Sequence, residues 1–236
     1  MKKDLSQNDS RRKFLKGAAI AISATAVGPG LIYPAFAEPL NINLTKYKPI
    51  YFTAEEWNFI LAATDRLIPP DENGPGAIET NVPVFIDMQM QDSFGKASDW
   101  YMRPPFIPSK PEMGYQSPLT PAQVYRKGIK ATDTYCQDKY HSPFFKLTEN
   151  EKDTVLSHLQ SGDIVFTDVS ASQFFDFLLQ NTKEGYFSDP IHGGNKNLAS
   201  WKMIGFPGAR ASFKEWVNYP NVKYPLGPVS IDGERG

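Results

Sequence analysis

Four times in this chain a serine or threonine is followed three residues later by glutamate or glutamine, with apolar residues at helical spacing beyond. The pairs are Thr53 and Glu56, Thr120 and Gln123, Thr148 and Glu151, and Ser170 and Gln173. Each has the form of a capping box, in which the hydroxyl and the amide or carboxylate satisfy free backbone N–H groups at a helix start. The opposite pattern is missing: no segment alternates apolar and polar residues with β-branched enrichment, as a half-buried strand would. The sequence therefore specifies an all-α fold, a single irregular domain of about five main helices joined by long loops rich in proline, glycine and aromatic residues.

The first helix starts at Thr53, carries Trp57, Ile60, Leu61, Thr64 and Leu67/Ile68 on its apolar face, and stops at Pro69-Pro70. A second follows Asn81, with Pro83 in its first turn. The third begins at Thr120-Pro121 and places Tyr125, Ile129, Thr132, Cys136 and Tyr140 on one stripe, which makes Cys136 a buried small hydrophobe rather than a nucleophile. The fourth runs from Thr148 to near Gly162. The fifth starts near Ser170, shows Phe174, Phe177, Leu178 and Asn181 on its face, and closes before Gly185. "LASWKMIG" and "ARASFKEWVN" read as two short helices, residues 38–50 as an extended arm, and the sequence from Pro220 as a tail. Residues 95–119 read as an ordered, irregular excursion suited to lie on another protein surface. The carboxylate pairs Glu55-Glu56 and Glu149/Glu151 sit at helix starts, where the helix dipole favours them without any catalytic role.

Composition removes whole classes of function. With 25 Lys/Arg against 26 Asp/Glu, the chain has no basic surplus with which to neutralise phosphates. Its single cysteine rules out an internal disulfide and a cysteine-ligated iron–sulfur cluster built from this chain alone, and there is no Cys-x-x-Cys-His haem attachment site.

The N-terminus reads as an address. "SRRKFLK" is followed by a short alanine-rich apolar run and then by "AFA" before Glu38. Arg11, Arg12, Phe14, Leu15 and Lys16 match the twin-arginine export pattern, and Ala35 and Ala37 form an Ala-x-Ala cleavage site. The apolar run is too short to span a bilayer comfortably. Residues 1–37 are thus expected to be a signal peptide and 38–236 the exported domain. Removing the leader takes away six of the 25 basic and two of the 26 acidic residues. That leaves 19 against 24, a net charge of −5. Twin-arginine export carries folded proteins, often with a cofactor or a partner attached, and this chain has no cofactor-binding motif of its own.

The segment "NTKEGYFSDPIHGGNKN", residues 181–197, reads as a long irregular loop of the kind that often carries function. Ser188, Asp189 and His192 invite a hydrolase triad, yet lie too close in sequence to adopt triad geometry easily. Asp189 and His192 are only two local metal ligands, and the glycines lack phosphate-loop spacing. The sequence leaves two uses open: the loop packs the domain together, or it docks on a partner through Tyr186, Phe187, Asp189, His192, Trp201 and Phe206.

Two blocks resemble a known family. "FxxLLxNTKEGYFSDPxxGGNKNxxxWKMIGFPG", from Phe174 to Gly208, is similar to the signature block of the gluconate 2-dehydrogenase subunit 3 family. The upstream helix followed by "DRLIPP" and "PGAIETNVPVFID" resembles the family's other block. The resemblance implies the small, gamma subunit of a membrane-associated dehydrogenase complex. A large subunit would carry FAD, and a cytochrome subunit with haem c would pass electrons to quinone. The small subunit would hold no cofactor and would assist maturation and export of the large one. It also implies residence in the periplasm at the inner membrane, and gluconate as the substrate of the complex. Fructose, sorbitol and glucose dehydrogenases have similar small subunits. The residues themselves also leave room for an autonomous periplasmic hydrolase or a sugar-binding module.

Overall fold

The structure is a computed structural model that describes residues 42–107, 110–222 and 224–236. The leader residues Arg11, Arg12, Phe14, Leu15, Lys16, Ala35 and Ala37 lie outside the described residues. Six α-helices form and, among the described residues, no strand: α1 (Ala54–Leu67), α2 (Val82–Gln91), α3 (Pro121–Tyr140), α4 (Glu149–Ser161), α5 (Ala171–Phe187) and α6 (Ala199–Ile204). The fold is all-α, built round one core.

The caps form largely as the sequence dictates. Thr53, Thr120 and Thr148 each accept from the backbone N–H of the residue three positions on, whose side chain accepts from the cap's own N–H in return. At α5 only half of the box is made: Ser170 accepts from Gln173 N, and its hydroxyl also meets Ser172. Asn81 caps nothing with its side chain. It adopts a left-handed conformation, and its amide donates to Ile42 O at 2.7 Å, tying the arm to the start of α2.

Helix α5 is the axle of the fold and packs against α1, α2, α3 and α4. Its residues Phe174, Phe175, Leu178 and Tyr186 are all buried. The α3–α5 crossing is close because position 128 has no side chain: a Cβ on Gly128 would stand 2.3 Å from the Phe174 ring. Helix α1 buries Phe59 and Ala63 completely, in addition to the expected Trp57, Ile60 and Thr64, while Leu61 is only half-buried. Its buried face is broader than one stripe because other elements meet it from several directions, including the turn Phe144–Lys146. The buried threonines Thr64, Thr132 and Thr182 return their hydroxyls to the carbonyl four residues back, so none is left without a partner.

The arm is held by one carboxylate. Asp87 of α2 is fully buried and accepts four hydrogen bonds. The donors are the Tyr47 hydroxyl (2.6 Å) and the backbone N–H groups of Ile50 (2.7 Å), Tyr51 (3.0 Å) and Phe52 (3.0 Å). Burial, together with donation to the Asp87 carboxylate, pushes the Tyr47 hydroxyl well above the usual tyrosine range. Arg126 of α3 then closes over the arm. Its guanidinium lies 4.5 Å from the Tyr51 ring centre, donates to Tyr51 O at 3.1 Å and forks onto Glu56 at 2.8 and 2.9 Å. A second fork, from Arg66 to Asp153 at 2.8 and 2.7 Å, joins α1 to α4. It holds the Asp153 carboxyl below its ordinary range.

Four sequence expectations change. The fifth helix does not close before Gly185 but runs on to Phe187, so the first seven residues of the 181–197 segment are helical. Asn181, Thr182 and Gly185 turn onto its buried face, and the contacts they make there favour the helix over the loop their composition suggests. The second short helix shrinks to a single turn, Lys214–Trp216. The segment after Pro220 is no free tail, because Val229 pairs with Gly208 and Ala209 N donates to Val229 O at 2.7 Å. The 95–119 excursion rests in part on its own domain, with Trp100 and Tyr115 stacked 4.8 Å apart and both within 6.3 Å of Phe177.

Asp87→Ala leaves four donors without an acceptor, and we expect a loss of about 3 kcal/mol or more, with about half of that for Asp87→Asn. A shift of the urea midpoint at unchanged slope measures it; a loss under about 1 kcal/mol contradicts the role given to Asp87. Burial pushes the Cys136 thiol up to about 12. Alkylation at pH 8 is therefore expected to be silent in the native protein and to appear with global unfolding. Rapid native labelling contradicts that placement.

Candidate functional site

The end of α5 and the loop after it are the part of the chain with the most unusual backbone. Gly185 lets α5 lie against α2, since a Cβ there would come within 2.8 Å of the Phe85 ring. Tyr186 follows, 4% exposed, and its hydroxyl donates to Pro75 O at 2.6 Å. Phe187 ends the helix 42% exposed, and its carbonyl accepts from the indole N–H of Trp201 at 2.8 Å. Beyond it, Asn195, Asn197 and Leu198 all have positive φ (43°, 59° and 56°), and Leu198 is completely buried. Asparagine tolerates this region through local hydrogen bonding; a leucine there is strained and must be held by its surroundings.

Asn195 does much of the holding. Its amide donates to Ser188 O at 2.9 Å and its carbonyl oxygen accepts from Ser200 N at 3.0 Å. The Ser200 hydroxyl meets both that oxygen, at 2.5 Å, and Tyr186 O. Lys196 N donates to Thr80 O at 3.1 Å, which ties the loop to the entrance of α2. The loop is thus stitched to α5, α6 and the body by buried hydrogen bonds.

These bonds also consume the groups that could have served chemistry. The Ser188 hydroxyl donates to Gly185 O at 3.1 Å. One Asp189 oxygen accepts from Ile191 N at 3.1 Å and caps the turn Pro190–His192; the other accepts from Ile231 N at 2.8 Å. The hydrogen bonds of Ser188 and Asp189 run to backbone, not to each other. His192 is exposed at the end of the turn. Of the six docking candidates, Tyr186, Asp189 and Trp201 are buried within the chain, while Phe187, His192 and Phe206 face outward.

The outward apolar surface is larger than those three residues. Of the fifteen large apolar side chains exposed among the described residues, ten lie from Phe187 onward. Beyond Phe187 and Phe206 the most open are Val217 (74%), Ile231 (65%), Tyr219 (60%), and Ile204 and Val222 (both 55%). The segment that carries them is tied together internally. Trp201 stacks on Phe206 at 4.9 Å, Tyr224 packs between Phe213 and Trp216, and Arg210 lies 5.1 Å over the Tyr224 ring. The sequence signal for this surface is weak: apolar residues scattered among prolines, with no period that any helix or strand would use.

A second feature lies elsewhere, a groove of about 610 Å³ between α3 and residues 164–169. Its cations are largely spent within the chain: Lys127 pairs with Asp168 at 3.1 Å, and Arg126 with Glu56.

Residues 54–208 match the family model described as Gluconate 2-dehydrogenase subunit 3. No curated protein and no solved structure matches the chain significantly. The matched span begins at the first residue of α1 and ends at Gly208, where Val229 pairs back onto the body.

Asp189→Ala removes the acceptor of Ile231 N and should free the C-terminal segment without unfolding the helices. Limited trypsin digestion is expected to cut at Arg210 and Lys214 at least tenfold faster than in the parent, with the thermal midpoint changed by only a few degrees. Unchanged cleavage contradicts the tether.

Proposed function

The chain belongs to the gluconate 2-dehydrogenase subunit 3 family, and from that premise we propose that it is the non-catalytic small subunit of a periplasmic FAD-dependent dehydrogenase complex. The complex would oxidise D-gluconate to 2-dehydro-D-gluconate. FAD would reside on the large subunit and haem c on a cytochrome subunit that joins the complex to the inner membrane. This chain would assist maturation of the flavoprotein and carry it through the twin-arginine translocase on its own leader.

One observation carries the reading. In the 181–197 segment, Ser188, Asp189 and Asn195 spend their side chains on the chain's own backbone. Such an arrangement builds a shape, not a reacting constellation. The family description supports membership of a multi-subunit assembly. Among the described residues no helix is long and apolar enough to cross a membrane, which agrees with attachment to the membrane through partners.

Export and maturation supply the test. Expressed with the large subunit, the parent chain is expected to place flavin-loaded dehydrogenase activity in the periplasm. Changing Arg11 and Arg12 to Lys should hold both proteins in the cytoplasm. Periplasmic, fully flavinylated large subunit in the absence of this chain would overturn the proposal.

A further inference from the structure

We infer that the apolar face running from Phe187 through Ile231 is the surface on which this chain binds the catalytic subunit of its dehydrogenase. The inference rests on the small-subunit reading above and adds to it the location of the contact.

Area is the first argument. The ten exposed side chains, at the exposures found for them, present on the order of 1,000 Å² of surface. One side of a stable interface needs about 800 Å². The residues that carry this area are linked through their neighbours, Trp201 to Phe187 and Phe206, Tyr224 to Phe213 and Trp216, and Ile231 to Asp189, and the area suffices for one side of a lasting complex. Its composition points the same way, since aromatic residues and methionine are enriched at the centres of interfaces. Phe187, Phe206, Phe213 and Tyr219 provide the aromatic part, and Met203 is exposed as well.

The second argument is how the segment is built. After α6 it contains one helical turn, closes on itself through Ala209 N to Val229 O, and is fixed to the body by a few bonds, Phe206 N to Trp201 O and Ile231 N to Asp189. Six of the ten side chains lie beyond residue 208, outside the matched span. The matched body supplies a rigid support in α5, α6 and the Asn195 knot, and the segment lays an apolar surface over it. A segment with so little core of its own gains order and buried area against a partner.

Charge argues against the other occupants. By sequence, Lys202, Arg210, Lys214, Lys223 and Arg235 are spread among Glu215, Asp232 and Glu234, a surplus of only two cations with no run of adjacent ones, so the segment lacks the basic cluster that an anionic lipid surface selects. The matched family is described as a third subunit, which favours an unlike partner over a second copy. The exposed residues of the excursion, Tyr101, Ile107 and Met113, form a smaller rival surface.

The test co-expresses the full chain with its catalytic subunit and measures co-purification. The Val217→Glu/Leu226→Glu pair should lower recovery of the catalytic subunit at least tenfold, and the milder Val217→Ser/Leu226→Ser pair several-fold. Tyr101→Glu/Ile107→Glu should leave recovery unchanged. The substituted side chains are exposed, so circular dichroism and the thermal midpoint of each variant should match the parent. Full recovery with both pairs on the C-terminal face, while the parent binds, overturns the assignment of the surface and leaves the small-subunit reading standing. Failure of the parent itself to bind overturns that reading and this inference together. A dimer of the chain alone, or binding to anionic vesicles, that the Glu pair abolishes while the complex persists also overturns the inference.

Discussion

The buried carboxylate of Asp87 is the constraint on which the rest of the domain depends. A charge taken out of water without a counter-ion is costly unless its lone pairs are filled. Here four donors fill them, three from consecutive backbone amides and one from Tyr47. The donors come from the arm and the acceptor from α2, so neither element has a satisfactory partner alone. The bonds place Thr53 where it can cap α1, and they bring Tyr51 under Arg126, which in turn holds Glu56 of the same capping box. A local helix-start signal and a long-range electrostatic clamp thus share residues, and the arm becomes part of the fold.

A second polar knot does for the far end what Asp87 does for the arm. Asn195, Ser200, Ser188 and Tyr186 exchange hydrogen bonds across the strained stretch from Asn195 to Leu198. The cost of left-handed backbone at three non-glycine positions is offset by those bonds and by the complete burial of Leu198. Asp189 then links the knot to the C-terminal segment. The two knots lie along α2 and α5, the pair brought close by Gly185. The rigid centre supports a surface whose apolar side chains stay uncovered among the described residues.

Much of the helical architecture was legible because its signals are local. A capping box and an apolar stripe lie within a few residues of each other, and three of the four boxes form completely. The Cys136 stripe was legible for the same reason. The end of α5 was misread because glycine, asparagine and threonine weaken helix propensity, and propensity yields to packing when those residues meet buried neighbours. Asp87 gave no local sign of its role, since an aspartate in an apolar helix reads as an exception until its donors, 35 to 40 residues away, are in place. In the docking set, chemistry of the side chain could not tell Tyr186 and Trp201, which turn inward, from Phe187 and Phe206, which turn out.

By itself the sequence determined the five main helices, most of their starts, the lack of a basic surplus and the family, because each rests on residue type and short-range spacing. Only the tertiary structure decided what the 181–197 segment is for and which apolar residues remain uncovered. Those outcomes depend on which distant groups meet. Ile231 finds Asp189 and Lys196 finds Thr80 across long stretches of chain, and no local pattern records such a pairing. The segment that looked most like a place for chemistry became the fastening of the domain because its polar atoms found backbone partners first.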